Sequence, residues 1–287
     1  MSGQHLELLA CQLAIPQTPD AATRNCHLQA STARVAAQLR KAAVDLVVLP
    51  ELSSIDYSRL SFEALDQVAE GLDGPSYQQW SKLAREHLTT IVYGFARRVS
   101  EGECRICSAV VGPDGVLIGY YDKLHLAQFG ASMEQEYFRA GGELLVFEVQ
   151  GFRIAPIICF DIRPPELCRQ LVLQHGVDLI LHMGAYYRDP SFSSWHAFAQ
   201  ARAVENQVYF LSLNRAGEQY GDSLFVPPWI DDHIHPTDFP DHDEAFLRLR
   251  CEREAMDTAR RNYAFLAERL PSYDLPLNQT QQKGKLS

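Results

Sequence analysis

The stretch FRIAPIICFDIRPPELCRQ, Phe152 to Gln170, constrains the fold more than any other. Its apolar run ending in Ile157, Ile158 and Cys159 predicts a buried strand, and Asp161, Pro164, Pro165 and Glu166 predict a helix start. Asp offers an N-cap oxygen, Pro tolerates the first turn, and Glu suits the positive end of the helix dipole. A buried strand feeding directly into a helix is the unit of a layered α/β protein. Cys159 then falls in the sharp turn between them, where a side chain is exposed, a helix dipole favours a thiolate and backbone N–H groups can meet an oxyanion. A lone cysteine ending an apolar strand is more often a packing residue, so partners elsewhere must decide its role.

The same pattern recurs along the chain. Leu6 to Leu13 reads as a first buried strand, Ala21 to Lys41 as a helix with Leu28, Val35, Ala36 and Leu39 at helical spacing, and VDLVVLP as a central strand. Glu51 follows that strand at once, as a solvated loop residue or part of a site at the sheet end. Phe62 to Ala69 and Tyr77 to His87 are predicted helices, and Thr89 to Ala96 is a predicted strand. A hairpin is spelled out by Ile106 to Val111, the turn Pro113-Asp114-Gly115, and Val116 to Tyr121. Lys123 comes directly after it, in YYDKLHL. Ala127 to Ala140 reads as a long loop carrying Glu134 and Glu136.

Beyond Cys159 the expectations are a helix from Pro165 to Gln174, a strand from Asp178 to His182, a helix from Trp195 to Asn206 and a strand from Val208 to Leu213. Ser223 to Val226 is a short last strand, and Pro227 to Pro240 an irregular surface loop. Arg253 to Arg269 reads as a charged terminal helix and Pro276 to Ser287 as a frayed tail. One domain, residues 1–275, is expected, with a flexible tail at 276–287.

A formal charge of −10 argues against a nucleic-acid or anionic-membrane surface. No apolar run approaches the roughly 18 residues that span a bilayer, and the N-terminus lacks the features of a secretory signal, so a cytoplasmic location is expected. Seven irregularly placed cysteines then read as reduced thiols. The single CxxC of Cys104 and Cys107 lacks a second ligand pair and lies in an alternating strand pattern, and His233 and His235 lack a closed ligand set. No metal is expected.

Glu51 in VVLPEL, Lys123 in YYDKLHL and Cys159 in IICFDIRPPEL come in one order, each after an apolar strand. Together with PDGVLIGYY, ARAVENQVYF and the exit NRAG, they resemble the nitrilase superfamily of carbon–nitrogen hydrolases from about Leu6 to Val226. The resemblance implies an αββα four-layer sandwich, two mixed sheets flanked by helices, with Glu51, Lys123 and Cys159 converging at one end. It places Glu134, in the form E-x-x-Y-F-x-x-G, as a fourth catalytic residue; Glu136 is out of register. Tyr57, Phe160, Arg163 and Tyr186 are the implied substrate-binding residues. The implied reaction is cleavage of a small linear amide through a thioester, releasing ammonia, without metal or organic cofactor.

CFDIRPPEL looks closest to ω-amidase-like members. An N-carbamoyl hydrolase, a nitrilase and an idle homologue acting as an interaction protein are the alternatives. Asp56 before Tyr57 and Asp122 before Lys123 depart from the usual Gly and Arg, and both bear on the pocket lining. Arg163 reads either as a clamp for a substrate carboxylate or as a partner of Glu166. A homodimer or higher even oligomer is implied, built on the helices after Cys159 and around Trp195 to Asn206. Leu167, Leu171 and Leu173 give the first of these more apolar residues than one stripe needs.

Overall fold

The computed structural model describes residues 4–130 and 132–277. Its elements run β1 (His5–Gln12), α1 (Ala21–Leu39), β2 (Leu46–Val48), α2 (Arg59–Glu63), α3 (Leu65–Val68), α4 (Pro75–His87), β3 (Thr90–Ser100), β4 (Glu103–Val111) and β5 (Leu117–Asp122). The second half runs α5 (Glu134–Tyr137), β6 (Phe147–Val149), β7 (Phe152–Ile158), a 3₁₀ turn (Cys159–Ile162), α6 (Pro165–His175) and β8 (Leu179–Met183). A short 3₁₀ turn (Phe192–Ser194), α7 (Trp195–Asn206), β9 (Tyr209–Leu213), β10 (Leu224–Val226), β11 (Thr237–Asp238), β12 (Ala245–Glu252) and α8 (Arg253–Asn262) complete it.

Two six-stranded mixed sheets form, ordered β12-β1-β2-β3-β4-β5 and β11-β10-β9-β8-β7-β6. Each has parallel pairs at its centre and antiparallel pairs toward its edges. Alternation within single strands explains the layers. On β1, Leu8 and Ala10 face the second sheet with Val48 and Val92, where they meet Leu181, Met183 and Leu211. Leu9, Cys11 and Leu13 face the other way, against Leu28 and Val35 of α1 and Trp80 of α4. Ile157 and Ile180 pack outward against Leu167 and Leu171 of α6 and Trp195 and Ala199 of α7. Strands buried on both faces read as continuous apolar runs, and the result is the expected helix–sheet–sheet–helix sandwich.

Several boundaries differ from the sequence reading. Ser223 to Val226 is not the last strand: β11 lies inside the 227–240 segment, and β12 pairs along the whole of β1, from His5 opposite Glu252 to Gln12 opposite Ala245. Its alternating Leu249, Arg250, Cys251 and Glu252 carried the period-two signal. The terminal helix stops at Asn262 rather than Arg269. Tyr263 leaves the helix to stack on Trp229 with 3.6 Å between ring centroids, and Gln207 Nε2 donates to the carbonyls of Ala259 and Tyr263. The predicted helix at 62–69 is two short turns broken at Ala64. Of the predicted tail, residues 278–287 lie outside the described residues. Leu167 and Leu171 belong to the chain's own core, and only Leu173 of that trio is exposed. Among the described residues no helix is long and apolar enough to cross a membrane, and no group of three or more His, Cys, Asp or Glu could hold a metal.

Candidate active site

Glu51, Lys123 and Cys159 each follow a strand, β2, β5 and β7, at the end where parallel strands leave their carbonyls and loops gather. Two glycines let the backbones converge there. A Cβ on Gly94 of β3 would lie 2.5 Å from Pro50 O and 2.6 Å from Leu52 N, so only glycine lets β3 pass under the Pro50-Glu51-Leu52 turn. Leu52 itself sits at φ 48°, in the left-handed region, and Ser53 Oγ ties the turn down by donating to Gly94 O at 2.9 Å. A Cβ on Gly141 would collide with Asp122 O, and Gly141 N–H donates to Lys123 O at 2.8 Å. Gly141, the glycine that ends the Glu134 motif, is therefore the backbone partner of the lysine.

The side chains of Lys123, Glu51 and Glu134 are fully buried and bonded to one another. Lys123 Nζ donates to Glu51 Oε1 at 2.8 Å and to Glu134 Oε1 at 2.6 Å. An ammonium has three N–H donors, so one is left for a ligand. Burial works against this ammonium, but Cys159, Glu134 and Glu51 together outweigh it and hold Lys123 well above the usual lysine range. The two carboxylates differ in their surroundings. Glu134 accepts from Lys123, from Tyr57 OH at 2.8 Å and, on its other oxygen, from Ala127 N–H at 2.9 Å. Among the described residues Glu51 accepts only from Lys123 and from Ala185 N–H at 2.8 Å. Burial, reinforced by the charge of Glu134 and opposed by Lys123, pushes the Glu51 carboxyl up to about 7. Glu134 is thus a clamp on the lysine, and Glu51 is placed to exchange a proton near neutrality.

Cys159 is half-buried and sits at φ 47°. A non-glycine residue there carries roughly 1–2 kcal/mol of strain, which the surrounding structure must hold. The helix α6 begins only at Pro165, and Asp161 does not cap it. Asp161 is buried in the 3₁₀ turn, where Oδ2 accepts from Tyr121 OH at 2.7 Å and Ile158 N–H at 3.0 Å, and Oδ1 from the backbone and ring nitrogens of His125, both at 2.8 Å. The helix dipole expected to favour a thiolate is thus not directly behind the sulfur, and burial and then the charge of Glu51 push the thiol well above its usual range. The resting thiol needs a base. Ala185 N–H, which holds Glu51 Oε2, also lies beside the sulfur.

A narrow cleft of about 30 Å³ opens on Cys159, lined among others by Phe129, Phe160, Arg163, Ala185, Tyr186 and Asp189. Of the four expected substrate-binding residues, Phe160, Arg163 and Tyr186 line it; Tyr57 stands behind Glu134, its hydroxyl spent there. Arg163 does not pair with Glu166. Its guanidinium stacks over Phe198 at 4.8 Å and reaches Ser194 Oγ only at 3.5 Å, and its Nε and Nη2 are buried without a hydrogen-bond partner among the described residues. Glu136, off register in the sequence, pairs at the surface with Arg59. Sequence reasoning missed Ala127 and Ala185, which act through backbone N–H groups that no side-chain motif announces. It also missed Gly94, legible only as a glycine inside a strand.

Residues 10–239 match the carbon-nitrogen hydrolase family. The chain is 29% identical over 228 residues to omega-amidase NIT2 of Xenopus tropicalis, covering 76% of this chain and 79% of that protein. It is 33% identical over 191 residues to 2-oxoglutaramate amidase of Bacillus subtilis, covering 64% and 71%. Among solved structures, XC1258 of Xanthomonas campestris, described as a CN-hydrolase superfamily protein with an arsenic adduct in its active site, superposes with a TM-score of 0.77 at 27% identity. That match covers 95% of this chain and 99% of the other.

Proposed function

The chain belongs to the carbon-nitrogen hydrolase family, and from that premise we propose that it is an amidohydrolase whose substrate is a short linear amide bearing a distal carboxylate. The observation that carries this reading is the buried Glu51–Lys123–Glu134 set beside the Cys159 cleft, with a guanidinium at that cleft's wall that has two nitrogens unpaired among the described residues. Glu51 carboxylate takes the thiol proton as Cys159 Sγ attacks the amide carbon. The third N–H of Lys123 and the N–H of Phe160 receive the oxyanion. The intermediate collapses as the carbon–nitrogen bond breaks, the nitrogen takes the proton from Glu51, and ammonia leaves a thioester. Water then gives a proton to Glu51 and attacks the thioester carbonyl, and the proton returns to sulfur as the acid departs. The names of the amidase relatives agree with this class of reaction.

The pH profile tests the base. Because the free-enzyme Glu51 carboxyl titrates at about 7 and must be ionised to accept the thiol proton, kcat/KM should rise with pH through that value and then level off. The lysine and the thiol, both held above their usual ranges, add no break below it. A flat profile between pH 5 and 8, or a Glu51→Gln variant that still forms an acyl adduct visible by mass spectrometry, would place the base elsewhere.

Arg163 sets the substrate class. A guanidinium with two buried, unpaired nitrogens is left short of charge-assisted hydrogen bonds worth roughly 1.5–3 kcal/mol each. A carboxylate at the far end of a short substrate supplies them. Asp189, the other charged group on the cleft, has one oxygen held by the N–H and hydroxyl of Ser191. Arg163→Leu is expected to lower kcat/KM for succinamate by about 10- to 100-fold, roughly the factor that one such bond implies, while butyramide hydrolysis changes by a few-fold at most. Equal losses on both amides, or a wild-type preference for an N-carbamoyl amino acid or a nitrile, would count against it.

A further inference from the structure

His182 and Ser212 enter the mainly apolar layer between the second sheet and helices α6 and α7, both fully buried. Polar groups are retained in such a layer only if they are bonded, and these are bonded in a chain. His182 on β8 and Ser212 on β9 are register partners in a parallel pair, and Trp195 at the start of α7 lies over them. Trp195 Nε1 meets Ser212 Oγ at 2.7 Å, Ser212 Oγ meets His182 Nδ1 at 2.6 Å, and His182 Nε2 meets the carbonyl of Cys159 at 2.9 Å. Only one direction of donation satisfies all three contacts. The indole can only donate, so Ser212 accepts from it and spends its single proton on Nδ1. The imidazole must then carry its hydrogen on Nε2 and donate it to Cys159 O. Burial keeps the ring neutral by lowering His182 to about 4. Tyr186 OH, stacked on Trp195 with 4.7 Å between centroids, donates to the same carbonyl at 3.2 Å.

We propose that the Trp195–Ser212–His182 chain is a positioning relay for the oxyanion site. A trans peptide is planar, so the C=O of Cys159 and the N–H of Phe160 point in opposite directions from one rigid unit. Holding the oxygen from behind fixes where the N–H aims, and donors on the oxygen polarise the peptide so that the N–H donates more strongly. The relay also explains how a strained Cys159 at φ 47° keeps one orientation. It rests on the proposed mechanism, in which Phe160 N–H receives the oxyanion; His182 touches neither substrate nor the sulfur's proton.

The test compares two reactions of the same cysteine in the full-length protein. Hydrolysis of succinamate needs the oxyanion donor; alkylation by iodoacetamide displaces iodide and forms no oxyanion. His182→Leu is expected to lower kcat by about 10- to 100-fold, less than complete loss of one oxyanion donor, with KM within about twofold and the alkylation rate unchanged. His182→Gln, which returns a side-chain N–H near the Nε2 position, should recover most of kcat. Ser212→Ala should shift the ring toward the Nδ1–H tautomer, read from imidazole ¹⁵N shifts, and lower kcat in parallel. Unchanged kcat in His182→Leu would overturn the relay. So would equal losses of turnover and alkylation, which mean a displaced cysteine. Cys159→Ala measured alongside separates the two levels: turnover persisting in that variant refutes the mechanism itself, whereas its loss beside an unaffected His182→Leu refutes the relay alone.

Discussion

Cys159→Ala should reduce ammonia release by at least about a thousandfold, the scale on which loss of a covalent nucleophile usually acts. The fold should survive. Cys159 is half-buried, so little volume is removed, and alanine meets the same left-handed backbone at φ 47° with the same Cβ. Its unfolding midpoint should stay near that of the wild type. Cys159→Gly offers an internal check, because glycine relieves the left-handed strain and should raise stability by up to about 1 kcal/mol while being equally inactive. Residual turnover above a few per cent in either variant would assign the nucleophile to another group.

Lys123→Met is the second change with a large expected effect, through two separate causes. Loss of one oxyanion donor costs about 100- to 1000-fold in turnover. In addition, Glu51 and Glu134 each lose the ammonium held at 2.8 and 2.6 Å, leaving two carboxylates facing one another in a desolvated site. Breaking a buried pair in this way typically costs about 3–5 kcal/mol. The variant is therefore expected to be both inactive and less stable, and to recover part of its stability at low pH, where Glu51, freed of the ammonium that lowers its pKa, takes up a proton. Denaturant unfolding at pH 5 and pH 8 checks the second effect. Activity within tenfold of wild type would remove the lysine from the mechanism. A stability loss identical at both pH values would mean that its charge is not what holds the site together.

Much of this was legible locally. The apolar runs of β1, β2 and β7 and the Pro113-Asp114-Gly115 hairpin follow from burial and turn chemistry within a few residues, and they suffice for a layered α/β protein. Placing Glu51, Lys123 and Cys159 directly after strands also marked them as candidates. The strand β12 was missed although its alternation was readable, because its partner β1 lies at the other end of the chain and nothing local says that the two pair.

What the sequence determined by itself is therefore the set of elements and the residue types that leave them, since periodicity and turn propensity are properties of neighbours along the chain. Only the tertiary structure decided what those residues touch. Glu51 and Glu134 are the same side chain and equally buried, yet one accepts from two donors and the other from three. Arg163 faced a substrate or Glu166 with equal plausibility until packing left two of its nitrogens unpaired. Cys159 was expected at a helix start and lies instead in a 3₁₀ turn ahead of a helix that begins at Pro165, where burial and then Glu51 raise its thiol. His182 was merely the end of a strand until β9 and α7 supplied its partners. Desolvation and hydrogen-bond saturation are set by atoms brought together from distant parts of the chain, and no local pattern records them.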